Sequence, residues 1–150
     1  MQKNFAVPYE LAASEEVARF ILNKSYFSKS QGKLKRPAFD PSPYDELSVV
    51  HSTGLLESDV WNIGRQTLVN QPGRNKIYGR ADLPVEALVE RQLRAIRDDN
   101  PFERHTSVKG WPESSDSDER KQRRIQICLE LSQDPTVKLV IPESTIIFNA

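Results

Sequence analysis

The sequence predicts a small α/β or α+β domain, with a central mixed sheet of three to five short strands flanked by about four helices. Three observations lead there. The chain has 150 residues, enough for one domain with a sizeable core, and residues 1–150 are read as a single domain. It is 37% hydrophobic and 28% charged, which suits a folded protein rather than a disordered or membrane-spanning one. Two β-branched apolar runs, 47–51 and 137–141, alternate with segments whose apolar residues recur at helical spacing.

Residues 9–24 are predicted as the first helix. Ser14 would cap it, Glu15 and Glu16 would sit in its first turn, and Val17, Phe20 and Ile21 would share one face. Residues 25–45 change character. They open on the basic run SYFSKSQGKLKR and continue through three prolines, which exclude regular helix. This stretch is predicted to be an ordered loop pinned by Phe39. Residues 47–51 then form a strand, Thr53-Gly54 turns the chain, and residues 55–63 make a second helix stopped by Gly64. Val49, Val50, Val60 and Trp61 are the predicted centre of the core.

The run NQPGRNK (70–76) is turn-rich, and 77–81 is a predicted short strand. Pro84 fits the start of a third helix carrying Val85, Leu88 and Val89, and residues 93–97 fit helix or strand equally. Residues 104–110 are β-prone and lead to Trp111, assigned to the core. A fourth helix follows, capped by Ser115 or Ser117, with Ile125, Cys128, Leu129 and Ser132 on one face. Residues 137–141 and 145–148 close the chain as strands.

Much chemistry is excluded by what the chain lacks. One cysteine and two histidines cannot build a Cys/His zinc site, so no metal is expected. No G-x-x-x-x-G-K-[ST], G-x-G-x-x-G or G-x-S-x-G motif occurs, and no cofactor is expected. No apolar run approaches the roughly 20 residues needed to cross a bilayer, and Met1–Pro8 lacks the apolar core of a secretory signal. The lone Cys128 lies in a helical apolar pattern and fits a reducing, cytoplasmic setting.

Two features point toward function. Lys29, Lys33, Lys35 and Arg36 form a basic stretch interleaved with Tyr26 and Phe27, suited to phosphates and unpaired bases. Lys121, Arg123 and Arg124 make a second cluster, and Arg91, Arg94 and Arg97 a third. The leading expectation is therefore a non-enzymatic binding or accessory protein with a protein partner, and with nucleic acid as a candidate partner. Twenty-one basic and twenty-one acidic residues cancel, which leaves self-association open.

The alternative rests on the two histidines, which share the pattern H-x-[ST]: His51-Ser-Thr53 and His105-Thr-Ser107. This resembles the paired motif of the 2H phosphoesterases, and Gly54 departs from it where that family has an apolar residue. The resemblance implies two imidazoles facing each other across a cleft, one as base and one as acid, with Thr53 and Ser107 holding phosphate oxygens. Imidazoles titrate near neutral pH, so such a pair can divide the two roles.

Overall fold

A computed structural model describes residues 6–42, 44–69, 76–113, 118–142 and 146–147. The strands are β1 (Tyr9–Glu10), β2 (Glu16–Ile21), β3 (Phe27–Ser28), β4 (Lys33–Leu34), β5 (Leu47–His51), β6 (Lys76–Ile77), β7 (Gly79–Pro84), β8 (Arg94–Arg97), β9 (His105–Lys109), β10 (Lys138–Val140) and β11 (Ile146–Ile147). Three helices join them: α1 (Glu57–Val69), α2 (Val85–Val89) and α3 (Asp118–Gln133). Seven strands make one sheet in the order β1-β8-β9-β5-β2-β7-β10, and every described pairing in it is antiparallel. Ribbons β3–β4 and β6–β11 stand apart from it.

This corrects the predicted architecture of three to five mixed strands flanked by about four helices. The largest error is the first helix, which is strand. β2 lies between β5 and β7 and is covered on both faces, so Val17, Ala18, Phe20 and Ile21 are all buried. A strand apolar on both faces loses its period of two, and the spacing 17, 20, 21 then imitates a helical stripe. The third helix shrinks to the five residues of α2, and of residues 93–97 Arg94–Arg97 are strand. The predicted turn at 70–75 and the caps Ser115 and Ser117 lie outside the described residues.

The sheet separates two cores. The larger gathers Val17, Ile21, Phe39, Val49, Leu88 and Leu131 with their neighbours, between the sheet, α2 and α3. The smaller holds Ala18, Phe20, Val50, Val60 and Ile77 beneath α1. Val49, Val50 and Val60 are buried, whereas Trp61 is half-buried and lies at 4.6 Å under the Arg80 guanidinium. Arg80 in turn binds both carboxylate oxygens of Glu57, at 2.7 and 2.8 Å, and so fixes the start of α1 to β7. Gly64 does not end the helix. It lies within α1, where a Cβ would meet the Phe20 ring at 2.6 Å, so glycine is what lets the helix approach β2.

On α3 the buried stripe is Arg124, Ile127, Cys128 and Leu131, while Ile125 and Leu129 are exposed. The predicted face was displaced because Arg124 is an inward member. Its guanidinium donates to the Tyr44 carbonyl at 2.7 Å and to Asp45 at 3.1 Å. Trp111 is buried as expected, its indole N–H donating to the Val108 carbonyl.

Candidate functional site

Strands β5 and β9 pair side by side, which brings the two histidines within one strand spacing, but on opposite faces. Val50 lies opposite His105, and Val17 opposite His51. Side chains alternate along a strand, so His51 shares a face with Val49 and the larger core, and His105 shares a face with Val50 and the smaller one. The two imidazoles therefore face no common cleft, and the paired acid–base arrangement implied by the H-x-[ST] resemblance does not form between them.

The His51 ring is 5% exposed as a residue and is held from both sides. Nε2 lies 2.8 Å from Glu15 Oε1, and Arg97 Nη1 lies 3.1 Å from Nδ1. Arginine can only donate, so Nδ1 is an acceptor and the proton sits on Nε2, directed at Glu15. Burial pushes the His51 pKa down, and the charges of Arg104 and Arg97 add to this, against the opposing pull of Glu15. The result is a neutral imidazole with both nitrogens committed. Thr53 is committed too, since its hydroxyl accepts the Glu16 amide at 2.8 Å. Arg104 fastens this corner by donating to the carbonyls of His51, at 2.6 Å, and Thr53, at 2.8 Å.

His105 has a different partner. Its Nδ1 lies 2.6 Å from Asp98 Oδ1, and Ser107 Oγ donates to Asp98 Oδ2 at 2.9 Å. Burial alone would raise the Asp98 pKa, but hydrogen bonds from His105, the Asn100 amide and Ser107 outweigh it and hold the carboxyl below its usual range. An ionised Asp98 can only accept, so His105 Nδ1 carries a proton, and in the neutral ring the acceptor nitrogen is Nε2, which has no hydrogen-bond partner among the described residues. The dyad stands at the mouth of the β8–β9 hairpin, where the Asp98 amide donates to the His105 carbonyl. The connecting loop is held at both ends by left-handed backbone, Asp99 at φ 53° and Arg104 at φ 73°. Such conformations cost free energy in non-glycine residues and are kept by their surroundings. Here Asp99 Oδ1 accepts both the Arg104 amide at 2.8 Å and Arg97 Nε at 2.7 Å.

His105 lines a cavity of about 120 Å³ between β2, β5, α1 and the hairpin loop. The cavity exists because β2 and β5 pair only at Val17–Ala18 and then part. Arg19 enters the gap, donating to the carbonyls of Ser48 at 3.0 Å and Ala38 at 3.2 Å. Asp98 is the residue that the sequence reading missed. Its signal was the break Asp98-Asp-Asn-Pro101 immediately before a β-prone run: read as a hairpin turn, it sets Asp98 against His105.

The basic stretch forms a separate surface. Lys29, Lys33, Lys35 and Arg36 are all exposed on the β3–β4 ribbon and the short turn after it. Phe27 and Leu34 pair across that ribbon and are buried with Phe39 in the larger core. Among the described residues no carboxylate pairs with any of these four cations. The other clusters differ. Arg91 lies 2.9 Å from Asp134, Arg97 2.7 Å from Asp99, and Arg124 3.1 Å from Asp45. A groove of about 270 Å³ between the basic arm and α3 is bordered by Arg36, Lys121, Asp40 and Cys128. Burial and Asp40 push the Cys128 thiol up to about 12, so it stays protonated and unreactive.

Comparison with protein-family models, curated proteins and solved structures returned no match. Among the described residues no helix is long and apolar enough to cross a membrane, and no group of three or more His, Cys, Asp or Glu side chains gathers as a metal site would require.

Proposed function

We propose that this is a binding protein that engages the phosphate backbone of a nucleic acid through the arm carrying Lys29, Lys33, Lys35 and Arg36. One observation carries the reading. These four cations are exposed on an arm anchored to the core and, among the described residues, have no acidic partner, while Arg91, Arg97 and Arg124 are tied to carboxylates. Cations held off the body by a buried aliphatic and aromatic underside remain available to phosphates. Lys121, exposed across the groove from Arg36, extends the same surface onto α3.

The test is retention of single-stranded RNA over a range of salt concentrations. Affinity should fall linearly on a log–log plot. In the triple variant Lys33→Glu, Lys35→Glu, Arg36→Glu the slope should become shallower by about 2. Retention of RNA with an unchanged slope by a folded triple variant would remove the arm as the binding surface.

A further inference from the structure

The cavity beside His105 suits a different kind of ligand. Its wall includes Phe20, Leu22, Val50 and Phe102 together with Arg19 and, from α1, Thr67, and Ser48 and Pro101, both exposed, stand at its rim. His105 belongs to this lining: it is 8% exposed, its Nδ1 is bound to Asp98, and among the described residues its Nε2 has no hydrogen-bond partner. The Thr67 hydroxyl is already used, donating to the Gly64 carbonyl at 2.6 Å. The ring positions are fixed as well. Phe102 meets His105 edge to face, with centroids 5.4 Å apart and planes at 88°.

We propose that this cavity binds a small hydroxylated ring, of which phenol is the simplest, with the ligand hydroxyl donating to His105 Nε2. Size, wall chemistry and polarity each contribute. At about 120 Å³ the space approaches that of apolar protein cavities of roughly 150 Å³ that hold benzene. Phe20 and Phe102 offer ring faces and edges to an aromatic guest. With Nδ1 taken by Asp98, Nε2 is the acceptor that the neutral His105 ring leaves for a ligand, so a guest ring that brings one donor pairs with it. The site is remote in character from the basic arm, and its test does not depend on nucleic-acid binding.

The experiment titrates the protein with phenol and, separately, with benzene, while following the imidazole nitrogens by NMR. Phenol should saturate, shift His105 Nε2 and leave the His51 nitrogens unmoved, and it should bind about tenfold more tightly than benzene. In His105→Phe the two ligands should bind alike. Thr67→Leu, at a partly exposed helix position, should fill the space and abolish binding while the protein remains folded. Equal binding of phenol and benzene by the wild-type chain, an unmoved His105 Nε2 at saturation, or undiminished phenol binding by folded Thr67→Leu would each overturn the proposal.

Discussion

His51 and His105 carry the same short motif, lie one strand apart and are both nearly buried, yet they turn opposite ring nitrogens to a carboxylate. Arg97 can only donate to His51 Nδ1, so the proton of that ring sits on Nε2. The Asp98 carboxylate can only accept from His105 Nδ1, so there the proton sits on Nδ1, and Nε2 is the acceptor of the neutral ring. Glu15 takes up the proton-bearing nitrogen of His51, and no described residue takes up Nε2 of His105. The difference teaches that an H-x-[ST] pattern specifies neither direction nor availability. Those are decided by which charged residue the neighbouring strand delivers to the ring.

The contrast breaks most severely at Arg97. Arg97→Met would leave the Asp99 carboxylate and His51 Nδ1 without their donor in a largely buried corner, and unfolding experiments should show a loss of about 3 kcal/mol. Asp98→Asn should cost less, about 1–2 kcal/mol, because one amide oxygen cannot accept from both His105 and Ser107 as two carboxylate oxygens do. The nitrogen spectrum gives the sharper reading: His105 should lose its single Nδ1–H form in Asp98→Asn, and His51 should keep its Nε2–H form. A wild-type spectrum with both rings in the same tautomer would end the comparison.

The smallest effect is one of pH. Burial lowers the His51 pKa, so as pH falls through the ordinary imidazole range near 6.5 the unfolded chain takes up a proton before the folded one does. The stability contributed by neutral His51 is therefore complete above that range. It is lost progressively below it, until the folded ring itself becomes charged. Melting temperatures measured between about pH 7.5 and 5.5 should fall less steeply for His51→Gln than for wild type. Parallel slopes would show that the ring titrates alike in both states.

The sequence made some of this legible. Residues 47–51 and 105–109 read as strands because β-branched residues sit among turn signals, and α1 read as a helix through its Val60 and Trp61 stripe. β2 was misread because burial on both faces hides a strand's alternation, and α3 was rotated because its buried stripe includes Arg124, whose terminal nitrogens bind distant loop groups at Ser42, Tyr44 and Asp45. Both histidines were visible as candidates. Their faces were not, since these depend on a register that only the folded sheet supplies. The basic arm was legible as a cluster of charge. That its cations stay unpaired among the described residues, while those of the third cluster do not, depends on contacts as distant in sequence as Arg91 with Asp134.

The parting of β2 from β5 also bears on how the molecule comes undone. Only two residue pairs join these strands in register, with one further backbone bond from the Ser52 amide to the Glu16 carbonyl, whereas β2 and β7 pair along the whole of β2. The sheet is thus two blocks, β1-β8-β9-β5 and β2-β7-β10, stitched along a short seam. Backbone bonds near such a seam open at lower free energy than those inside either block, so the first excursions from the native state should separate these halves rather than fray each one. The cavity beside His105 lies on that line, so a guest lodged in it would touch both halves and act as a rivet between them.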